Sequence, residues 1–229
     1  MTRIIAIVAA CFVVLLLGGT YAVSSGWVSG VLGLGPDDPY APCRRAAVAG
    51  GAGAIGGPFE LVNQEGETVT DKDVITEPSL VYFGYTFCPD VCPMDVARNA
   101  QAVDVLKEQG HEVQPVFISI DPERDTPEVV GDFAANIHED MVALTGSEEQ
   151  VNAASQAYRA YHSKQPGDDE YYLVDHSTFT YLVMPEDGFV EYFRRDLSPE
   201  ELAERTSCFL EASLATQRLD LTAPSGGAN

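Results

Sequence analysis

Cys88 and Cys92 are the residues of this chain whose types and spacing point most directly to chemistry. They lie in YFGYTFCPDVCP, residues 82–93, directly behind an apolar and aromatic run. Paired thiols either exchange with disulfides or bind a soft metal ion, and both uses require the thiolate form. A gap of two residues favours an easily formed redox disulfide, whereas the three residues between these cysteines leave room for both sulfurs to face one ion. A disulfide between them is also geometrically possible.

Two thiolates form an incomplete metal site, so the histidines are the next candidates. The chain has four: His111, His138, His162 and His176. We expect the first two to lie on the surface, and we expect His162 to end a helix, where a partly charged imidazole suits the carboxyl-terminal dipole. His176 differs because it lies in YYLVDHSTFTYLV, in a loop that leads directly into a strand. The residues alone leave two interpretations of His176 open, a metal ligand and an ordinary loop histidine.

The elements that position these residues follow from the hydrophobic pattern and the capping signals. The first half of the domain is predicted to contain a hairpin turning at Gln64–Gly66, a strand in PSLVYFGYT, a helix over Pro93–Gln109 and a strand in VQPVFISI. A helix capped by Asp125 or Thr126, a strand in MVALTG and a helix from the Ser147–Gln150 capping box to His162 follow. The last predicted elements are a hairpin turning at Glu186–Gly188 and a helix in SPEELAERTSCFLEASL. This order indicates an α/β fold with a mixed central sheet and helices on both faces. Cys88 and Cys92 then occupy the loop at the carboxyl edge of the first long strand, where the amide dipoles of the next helix favour thiolate.

The chain divides into four predicted segments. Residues 4–23 carry no charge and would cover roughly 30 Å as a helix, so we predict an N-terminal transmembrane anchor over residues 1–28. A linker rich in Gly, Ala and Pro follows over residues 29–57, then one folded domain over residues 58–216 and a flexible tail over residues 217–229. Arg3 on the short side predicts a cytoplasmic N-terminus and an exported domain. A cleaved signal peptide is the alternative, although its apolar core is usually shorter.

Acidic residues dominate the part of the chain that follows the predicted anchor. The chain has 13 Lys and Arg against 35 Asp and Glu, which gives a formal net charge of −22. A domain of this charge is not expected to bind nucleic acid or anionic lipid, whereas metal ions and cationic partners would be attracted to it. Solubility alone is the simpler explanation of most of this charge.

Cys43 in the linker and Cys208 in the last predicted helix leave two alternatives open. An oxidising compartment favours a disulfide between them. The long loop that it would close is worth up to roughly 5 kcal/mol in the chain-entropy model. In the other alternative Cys208 is an ordinary buried thiol and Cys43 is free.

Three motifs, YFGYTFCPDVCP, ISIDPERDTPE and YLVDHSTFTYLV, follow one another behind a single N-terminal apolar segment. In this order they resemble the Sco/SenC family of copper-binding assembly proteins of cytochrome c oxidase, and the similarity runs from about Gly57 to Leu210. The resemblance implies a thioredoxin-like fold with an added β-hairpin and one bound copper ion. It also implies that Cys88, Cys92 and His176 are the copper ligands, a soft set that suits Cu(I) and, with an extra oxygen donor, Cu(II).

The resemblance leaves two functions open. In the first, the protein is a copper metallochaperone, not an enzyme, that assists assembly of the binuclear copper site of cytochrome c oxidase subunit II. In the second, it is a thiol-disulfide oxidoreductase whose Cys88 and Cys92 reduce the copper-site cysteines of that subunit. Both functions imply a single-pass protein of the bacterial cytoplasmic membrane with its domain in the periplasm, where another copper carrier is a further candidate partner. Thiol exchange does not require His176, so this residue distinguishes the two functions.

Other residues in the motifs have two interpretations each. Asp90 either supplies the extra oxygen ligand or has a local role, in an Asx-turn or as the cap of the following helix. DPERDTPE has a structural interpretation, in which Asp125 caps the helix and Arg124 pairs with a neighbouring carboxylate, and a functional one, in which Asp121 faces the copper loop from the end of the second strand. The aromatic residues near the cysteines either shield the metal from water or pack in the core. They are Tyr82, Phe83, Tyr85 and Phe87.

Overall fold

The computed structural model describes residues 38–45, 52–167 and 171–222. The chain divides into two compact units, residues 1–54 and 55–229. The described part of the first unit consists of turns within residues 38–45 and one turn of 3₁₀ helix, Ala52–Ala54. The predicted anchor, most of the predicted linker and residues 223–229 lie outside the described residues. None of the helices within the described ranges is both long and apolar enough to cross a membrane.

The described residues of the second unit form nine strands and five helices. The strands are β1 (Glu60–Asn63), β2 (Thr68–Thr70), β3 (Ser79–Gly84), β4 (Gln114–Ser119), β5 (Val142–Thr145), β6 (His162–Lys164), β7 (Val174–His176), β8 (Thr180–Met184) and β9 (Gly188–Phe193). The helices are α1 (Asp71–Val74), α2 (Val91–Glu108), α3 (Pro127–Ala135), α4 (Glu148–Ala157) and α5 (Pro199–Thr222).

Seven strands form one mixed sheet in the order β2-β1-β5-β4-β3-β8-β9. The central strands β3, β4 and β5 run parallel, and the outer strands add to them antiparallel. Every residue of β3 is buried, as expected for a continuous apolar strand covered on both faces. Helix α2 packs against α5, α3 packs against β5, and α4 packs against β1. The predicted mixed sheet with flanking helices is therefore confirmed.

The carboxyl ends of β3 and β4 lie side by side. Gly84, the last residue of β3, is paired with Ser119, the last residue of β4. The Ile120 N–H then donates a hydrogen bond to the Gly84 carbonyl at 2.8 Å. The loop that carries Cys88 and the loop that begins at Asp121 therefore leave the sheet at the same edge, because parallel strands end there together.

Helix α4 is shorter than the sequence predicts. Its capping box is present, since Ser147 accepts a hydrogen bond from the Gln150 N–H and the Gln150 side chain accepts one from the Ser147 N–H. The helix nevertheless ends at Ala157 and does not continue to His162. Arg159 adopts a left-handed backbone conformation, with φ of 52°, which ends an α-helix.

The chain beyond α4 enters a two-stranded antiparallel ribbon, β6 with β7, that the sequence prediction missed. His162 lies opposite His176 in this ribbon, so the predicted position of His162 at a helix end is wrong. His176 is the last residue of β7 and does not lie in a loop. Strands of three residues carry too little alternation to be recognised from a pattern, and a distant segment supplies their partner.

Helix α2 begins at Val91, two residues before the predicted start at Pro93. Pro93 fits the first turn because the N–H groups there have no partner within the helix. Cys92 therefore belongs to the first turn of α2 and not to the preceding loop. At the other end of the domain, α5 continues to Thr222, beyond residue 216 at which the predicted domain ends.

The cysteines within the described residues fall into two classes. Cys88 and Cys92 carry free thiols. Cys43 and Cys208 are both disulfide-bonded. The alternative in which Cys43 is free and Cys208 is an ordinary buried thiol is therefore wrong, and Cys88 and Cys92 are the thiols available for chemistry at the sheet edge.

Asp125 joins the ends of the three parallel strands. It is fully buried, and its carboxylate accepts hydrogen bonds from the Thr86 N–H at 3.0 Å, from the Thr86 hydroxyl, and from the Ser119 hydroxyl at 2.6 Å. Its backbone carbonyl accepts a hydrogen bond from the Thr145 hydroxyl at 2.6 Å. The Asp125 side chain is therefore not the cap of α3, a role that belongs to Thr126.

Replacing Asp125 by alanine should destabilise the fold. The change leaves the Thr86 N–H and the Ser119 hydroxyl without their acceptor, which should lower the free energy of unfolding by about 3 kcal/mol. Urea denaturation of the copper-free protein measures this difference. The exposed Asp132 on α3 is the matched control, and Asp132→Ala should change stability by less than about 0.5 kcal/mol. Equal losses of stability in both variants would contradict the role of Asp125.

Candidate metal centre

Gly84 makes room for the Cys92 sulfur at the end of β3. A Cβ atom at this position would lie 2.9 Å from the Tyr82 ring, 3.1 Å from the Cys92 Sγ atom and 3.1 Å from the Phe117 ring. Contacts this close force neighbouring atoms to shift, because the interior has no space to receive them. The glycine therefore allows the strand to pass directly beside the sulfur.

The Cys88 sulfur accepts hydrogen bonds at the start of α2. The Cys92 N–H donates to the Cys88 Sγ atom at 3.3 Å. Burial raises the pKa of the Cys88 thiol, but hydrogen bonds from the backbone of Asp90, Cys92 and Val91 and from the Cys92 side chain outweigh this effect and lower the pKa overall. The free N–H groups of the first helical turn therefore stabilise a thiolate at Cys88.

Asp90 occupies the N-cap position of α2, but its side chain makes no capping hydrogen bond. The amides that a capping carboxylate would bind are directed at the Cys88 sulfur instead. The interpretation of Asp90 as a side-chain cap is therefore wrong. Its carboxylate also lies outside the group of donor atoms that converge near Cys88.

Cys92 has the opposite character to Cys88. Its side chain is fully buried, and this burial raises the pKa of the thiol; the neighbouring Cys88 and Asp95 act in the same direction, while a backbone hydrogen bond with Tyr85 opposes them only in part. Without a metal ion, Cys92 therefore keeps its proton when Cys88 is already ionised. A bound cation would remove this proton, because metal ligation deprotonates a coordinating thiol.

His176 reaches the cysteines from the ribbon. Its Nε2 atom lies 3.2 Å from the Cys92 Sγ atom, and its Nδ1 atom lies 2.8 Å from the Ser177 carbonyl oxygen. Because a carbonyl only accepts, Nδ1 carries the proton and Nε2 presents a lone pair to the site. Burial lowers the pKa of His176, which keeps the imidazole neutral and able to bind a metal.

The structure brings Cys88, Cys92 and His176 together. One donor atom from each lies within 4.8 Å of the other two. Two donors bound to one ion at about 2.0–2.3 Å are at most about 4.6 Å apart, so only a small adjustment is needed for all three to bind the same ion. Two sulfurs and one imidazole nitrogen form a soft donor set that favours Cu(I) over hard cations such as Mg²⁺.

Two tyrosines from the end of β3 bracket the His176 ring. Tyr82 meets it edge-on with ring centroids 6.2 Å apart, and Tyr85 does so at 5.9 Å. The Tyr85 hydroxyl also accepts a hydrogen bond from the Val174 N–H at 3.3 Å, which ties β7 to the cysteine loop. The Tyr82 hydroxyl donates to the buried Asp95 at 3.0 Å. These rings contact the imidazole and shield part of it from water.

The other two aromatic residues of the first motif have different roles. Phe83 packs in the core, edge-on against Tyr181 at 5.8 Å. Phe87 is 54% exposed, and its ring centroid lies 4.8 Å from the central carbon of the Arg124 guanidinium. Both interpretations of the aromatic run are therefore correct for some of its members, since Tyr82 and Tyr85 enclose the site and Phe83 belongs to the core.

Arg124 links three segments that surround the site. Its guanidinium lies 3.6 Å from the Tyr172 ring centroid and donates a hydrogen bond to the Tyr172 carbonyl at 3.1 Å, which fixes the segment that leads into β7. It also covers Phe87 in the cysteine loop and donates to the Asp121 carboxylate at 2.6 Å. The sequence predicted that Arg124 pairs with a neighbouring carboxylate without identifying it as Asp121, and the contacts with Tyr172 and Phe87 had no sequence signal because they depend on the fold.

Asp121 does not face the cysteines with a free carboxylate. Besides Arg124, it accepts a hydrogen bond from the Tyr172 hydroxyl, and only 4% of it is exposed. Its carboxylate is not among the donor atoms that meet near Cys92. Asp121 is therefore the neighbouring carboxylate that pairs with Arg124.

Comparisons with known proteins agree with this geometry. The SCO1/SenC family model matches residues 48–211 of the chain. The chain is 54% identical over 176 residues to Protein SenC of Rhodobacter capsulatus, and this match covers 76% of the chain and 79% of that protein.

Solved structures show the same likeness. The structure of Arabidopsis thaliana ScoI with copper bound matches with a TM-score of 0.66 and 39% identity, covering 69% of this chain and 99% of that one. BsSco, a member of the Sco family of cytochrome c oxidase assembly proteins in which a disulfide switch was identified, also matches. The TM-score is 0.57 at 25% identity, and the match covers 71% of this chain and 95% of that one. These matches confirm the predicted thioredoxin-like fold of the Sco type.

Alkylation should distinguish the two thiols of the copper-free, reduced protein. Iodoacetamide reacts with thiolates, and the lowered pKa of Cys88 means that this thiol ionises at a lower pH than an ordinary cysteine. We expect Cys88 to be modified first, and its rate to rise at a lower pH than that of an ordinary cysteine. Peptide mass spectrometry across a pH series measures both sites, with Cys88→Ser reporting Cys92 alone. Faster modification of Cys92 would contradict the assignment.

Replacing Arg124 by lysine should loosen the ribbon that carries His176. Lysine keeps the charge but loses the planar group that stacks on Tyr172 and Phe87 while hydrogen-bonding Asp121. Amide hydrogen exchange should therefore increase in β6 and β7 of the copper-free protein and stay unchanged in β3. The control is Arg194→Lys, at a side chain that is 75% exposed. Unchanged exchange in the ribbon of Arg124→Lys would show that other contacts hold it.

Proposed function

Because this chain belongs to the SCO1/SenC family, we propose that it is a copper metallochaperone. It holds one copper ion on Cys88, Cys92 and His176 and delivers the ion to the binuclear copper site of cytochrome c oxidase subunit II. The copper-bound relative from Arabidopsis thaliana and the naming of the Sco family as cytochrome c oxidase assembly proteins support this assignment.

The observation that carries the proposal is the convergence of two sulfurs and one imidazole within 4.8 Å at the edge of the sheet. Three soft donors satisfy Cu(I), which accepts low coordination numbers and prefers thiolate. Zinc is a weaker candidate because structural zinc sites take four protein ligands, and only three donors meet here among the described residues. A three-donor site also suits a carrier, since an incoming ligand from the acceptor protein can enter without first displacing a fourth.

His176 favours a metal site over a dithiol alone. Its Nε2 lone pair is directed at the Cys92 sulfur, and two tyrosine rings and the Ser177 carbonyl fix its orientation. Orienting contacts of this kind are typical of metal-binding histidines, whose second nitrogen donates to a carbonyl or carboxylate. Thiol exchange between Cys88 and an external disulfide would not require any of them.

The proposed location is the cytoplasmic membrane of a bacterium, with the domain in the periplasm. The uncharged segment over residues 4–23 and the similarity to a bacterial SenC protein support it. The net charge of −22 would draw copper ions towards the domain. A periplasmic copper carrier is therefore the proposed donor, and subunit II is the proposed acceptor.

A second candidate function is reduction of a disulfide in subunit II by Cys88 and Cys92. The unequal thiols favour it, because an acidic Cys88 can attack a disulfide while the buried, protonated Cys92 waits to resolve the mixed disulfide. The disulfide switch ascribed to BsSco also supports it. In this alternative copper is incidental, and His176 serves only to enclose the thiols.

A transfer experiment separates the two functions. The copper-loaded protein is mixed with the copper-free, reduced acceptor domain of subunit II, and the metal content of each is measured after separation. We expect one copper ion per chain before mixing and its appearance on the acceptor afterwards. His176→Ala should weaken Cu(II) binding and reduce transfer while leaving reduction of an external disulfide unchanged, because exchange uses only the sulfurs.

His111→Ala is the matched control, because His111 lies in the segment between α2 and β4, at the edge of the sheet opposite the cysteines. It should bind and transfer copper like the wild type. Cys88→Ser and Cys92→Ser should each lose tight Cu(I) binding, and full retention of copper in either would overturn the ligand assignment. Reduction of an oxidised acceptor without movement of metal would favour the reductase.

A further inference from the structure

His162 and His176 form a cross-strand pair in the ribbon. The Ser177 N–H donates to the Tyr161 carbonyl at 2.9 Å, and the Gln165 N–H donates to the Leu173 carbonyl at 2.8 Å. In an antiparallel ladder hydrogen-bonded and non-hydrogen-bonded pairs alternate, so His162 and His176 form a non-hydrogen-bonded pair.

The geometry of such a pair places the two imidazoles next to each other. Opposite residues project from the same face of a ribbon, and in non-hydrogen-bonded pairs their Cβ atoms lie roughly 4.5–5.5 Å apart. The His162 side chain therefore starts beside the ring that contacts the Cys92 sulfur. The charge of His162 is also one of those that act on His176.

His162 is available as a ligand, unlike the buried carboxylates around the site. Within the described residues its imidazole makes no hydrogen bond and is half-buried. The buried carboxylates nearby are engaged: Asp95 with Tyr82 and Arg195, Asp121 with Arg124 and Tyr172, and Asp125 with Thr86 and Ser119. Lys164, on the same face of the ribbon as His162, is paired with Glu123 at 2.6 Å.

A cavity gives the His162 ring space to turn. It has a volume of about 240 Å³, and the residues that line it include His162, Val174, Asn152, Glu123 and Glu148. No nitrogen of His162 is among the donor atoms that already lie within 4.8 Å of one another, so coordination requires rotation of the side chain. The cavity provides open space beside His162 for such a rotation.

We propose that His162 is a fourth copper ligand that binds Cu(II) and not Cu(I) at the site of Cys88, Cys92 and His176. Cu(II) prefers four donors in a tetragonal arrangement, and imidazole is a favourable ligand for it, whereas Cu(I) is satisfied by the three soft donors. The side chain of His162 would thus bind the ion when it is Cu(II) and leave it when it is Cu(I). This inference rests on the proposed copper site but does not depend on delivery to subunit II.

The experiment counts imidazole ligands on Cu(II) by pulsed electron paramagnetic resonance of the full chain loaded with one equivalent of Cu(II). We expect two coupled imidazoles in the wild type and one in His162→Ala, with the thiolate-to-copper absorption retained in both. Loss of a direct ligand should weaken Cu(II) binding by about tenfold or more, since removing a residue that only hydrogen-bonds to a metal ligand already lowers metal affinity by at least about tenfold. Cu(I) affinity, measured by competition with a chelator, should not change.

His111→Ala is the control for the removal of a histidine elsewhere, and it should retain two imidazoles. His162→Gln keeps a side chain of similar length in the ribbon and should match His162→Ala, which separates ligation from packing. One imidazole in the wild type, or wild-type Cu(II) affinity in both His162 variants, would overturn the role of His162. Failure of the wild type to bind Cu(I) with two sulfurs would instead overturn the proposed function.

Discussion

The Cys92 sulfur and the His176 imidazole lie 3.2 Å apart although 84 positions separate them in the chain, and the candidate metal centre depends on this contact. Metal–ligand distances tolerate errors of only a few tenths of an ångström, so both residues need firm supports. Cys92 is held by the first turn of a long helix. His176 stands on a ribbon of two three-residue strands, which cannot be stable in isolation.

The ribbon is therefore kept in place by contacts with the segments around it. The Tyr85 hydroxyl accepts a hydrogen bond from the Val174 N–H. Arg124 contacts the ring and the carbonyl of Tyr172, in the segment that leads into β7. Both supports come from the loops that follow the central strands. The same loops carry Cys88 and Asp121, so the cysteines and the histidine are positioned relative to one another by a single shared edge of the sheet.

The environment of the two thiols reconciles metal binding with thiol exchange. Amides at the start of α2 stabilise a negative charge on Cys88, whereas burial opposes one on Cys92. A cation that binds both sulfurs compensates for the burial of the second charge, and a disulfide partner needs only the first. Engaged carboxylates strengthen this selectivity, because Asp95, Asp121 and Asp125 are bound to protein donors and are not free to attract hard cations.

The sequence by itself predicted the strands of the mixed sheet, its long helices and the pair Cys88 and Cys92, whereas His176 became a candidate donor only through the resemblance of three motifs to a known family. Buried strands such as VQPVFISI, the Ser147–Gln150 capping box and the spacing of Cys88 and Cys92 are local signals, and local signals survive in a linear pattern.

Only the tertiary structure decided how those residues are used. It ended α4 at Ala157, paired His162 with His176, and directed the helix amides at Cys88 and not at Asp90. It also turned Asp125 into the junction of three strands. Each of these outcomes depends on a partner that lies far away in the chain or on a choice among nearby acceptors. Hydrophobic periodicity is a local pattern, and it identifies neither the distant partner nor the chosen acceptor.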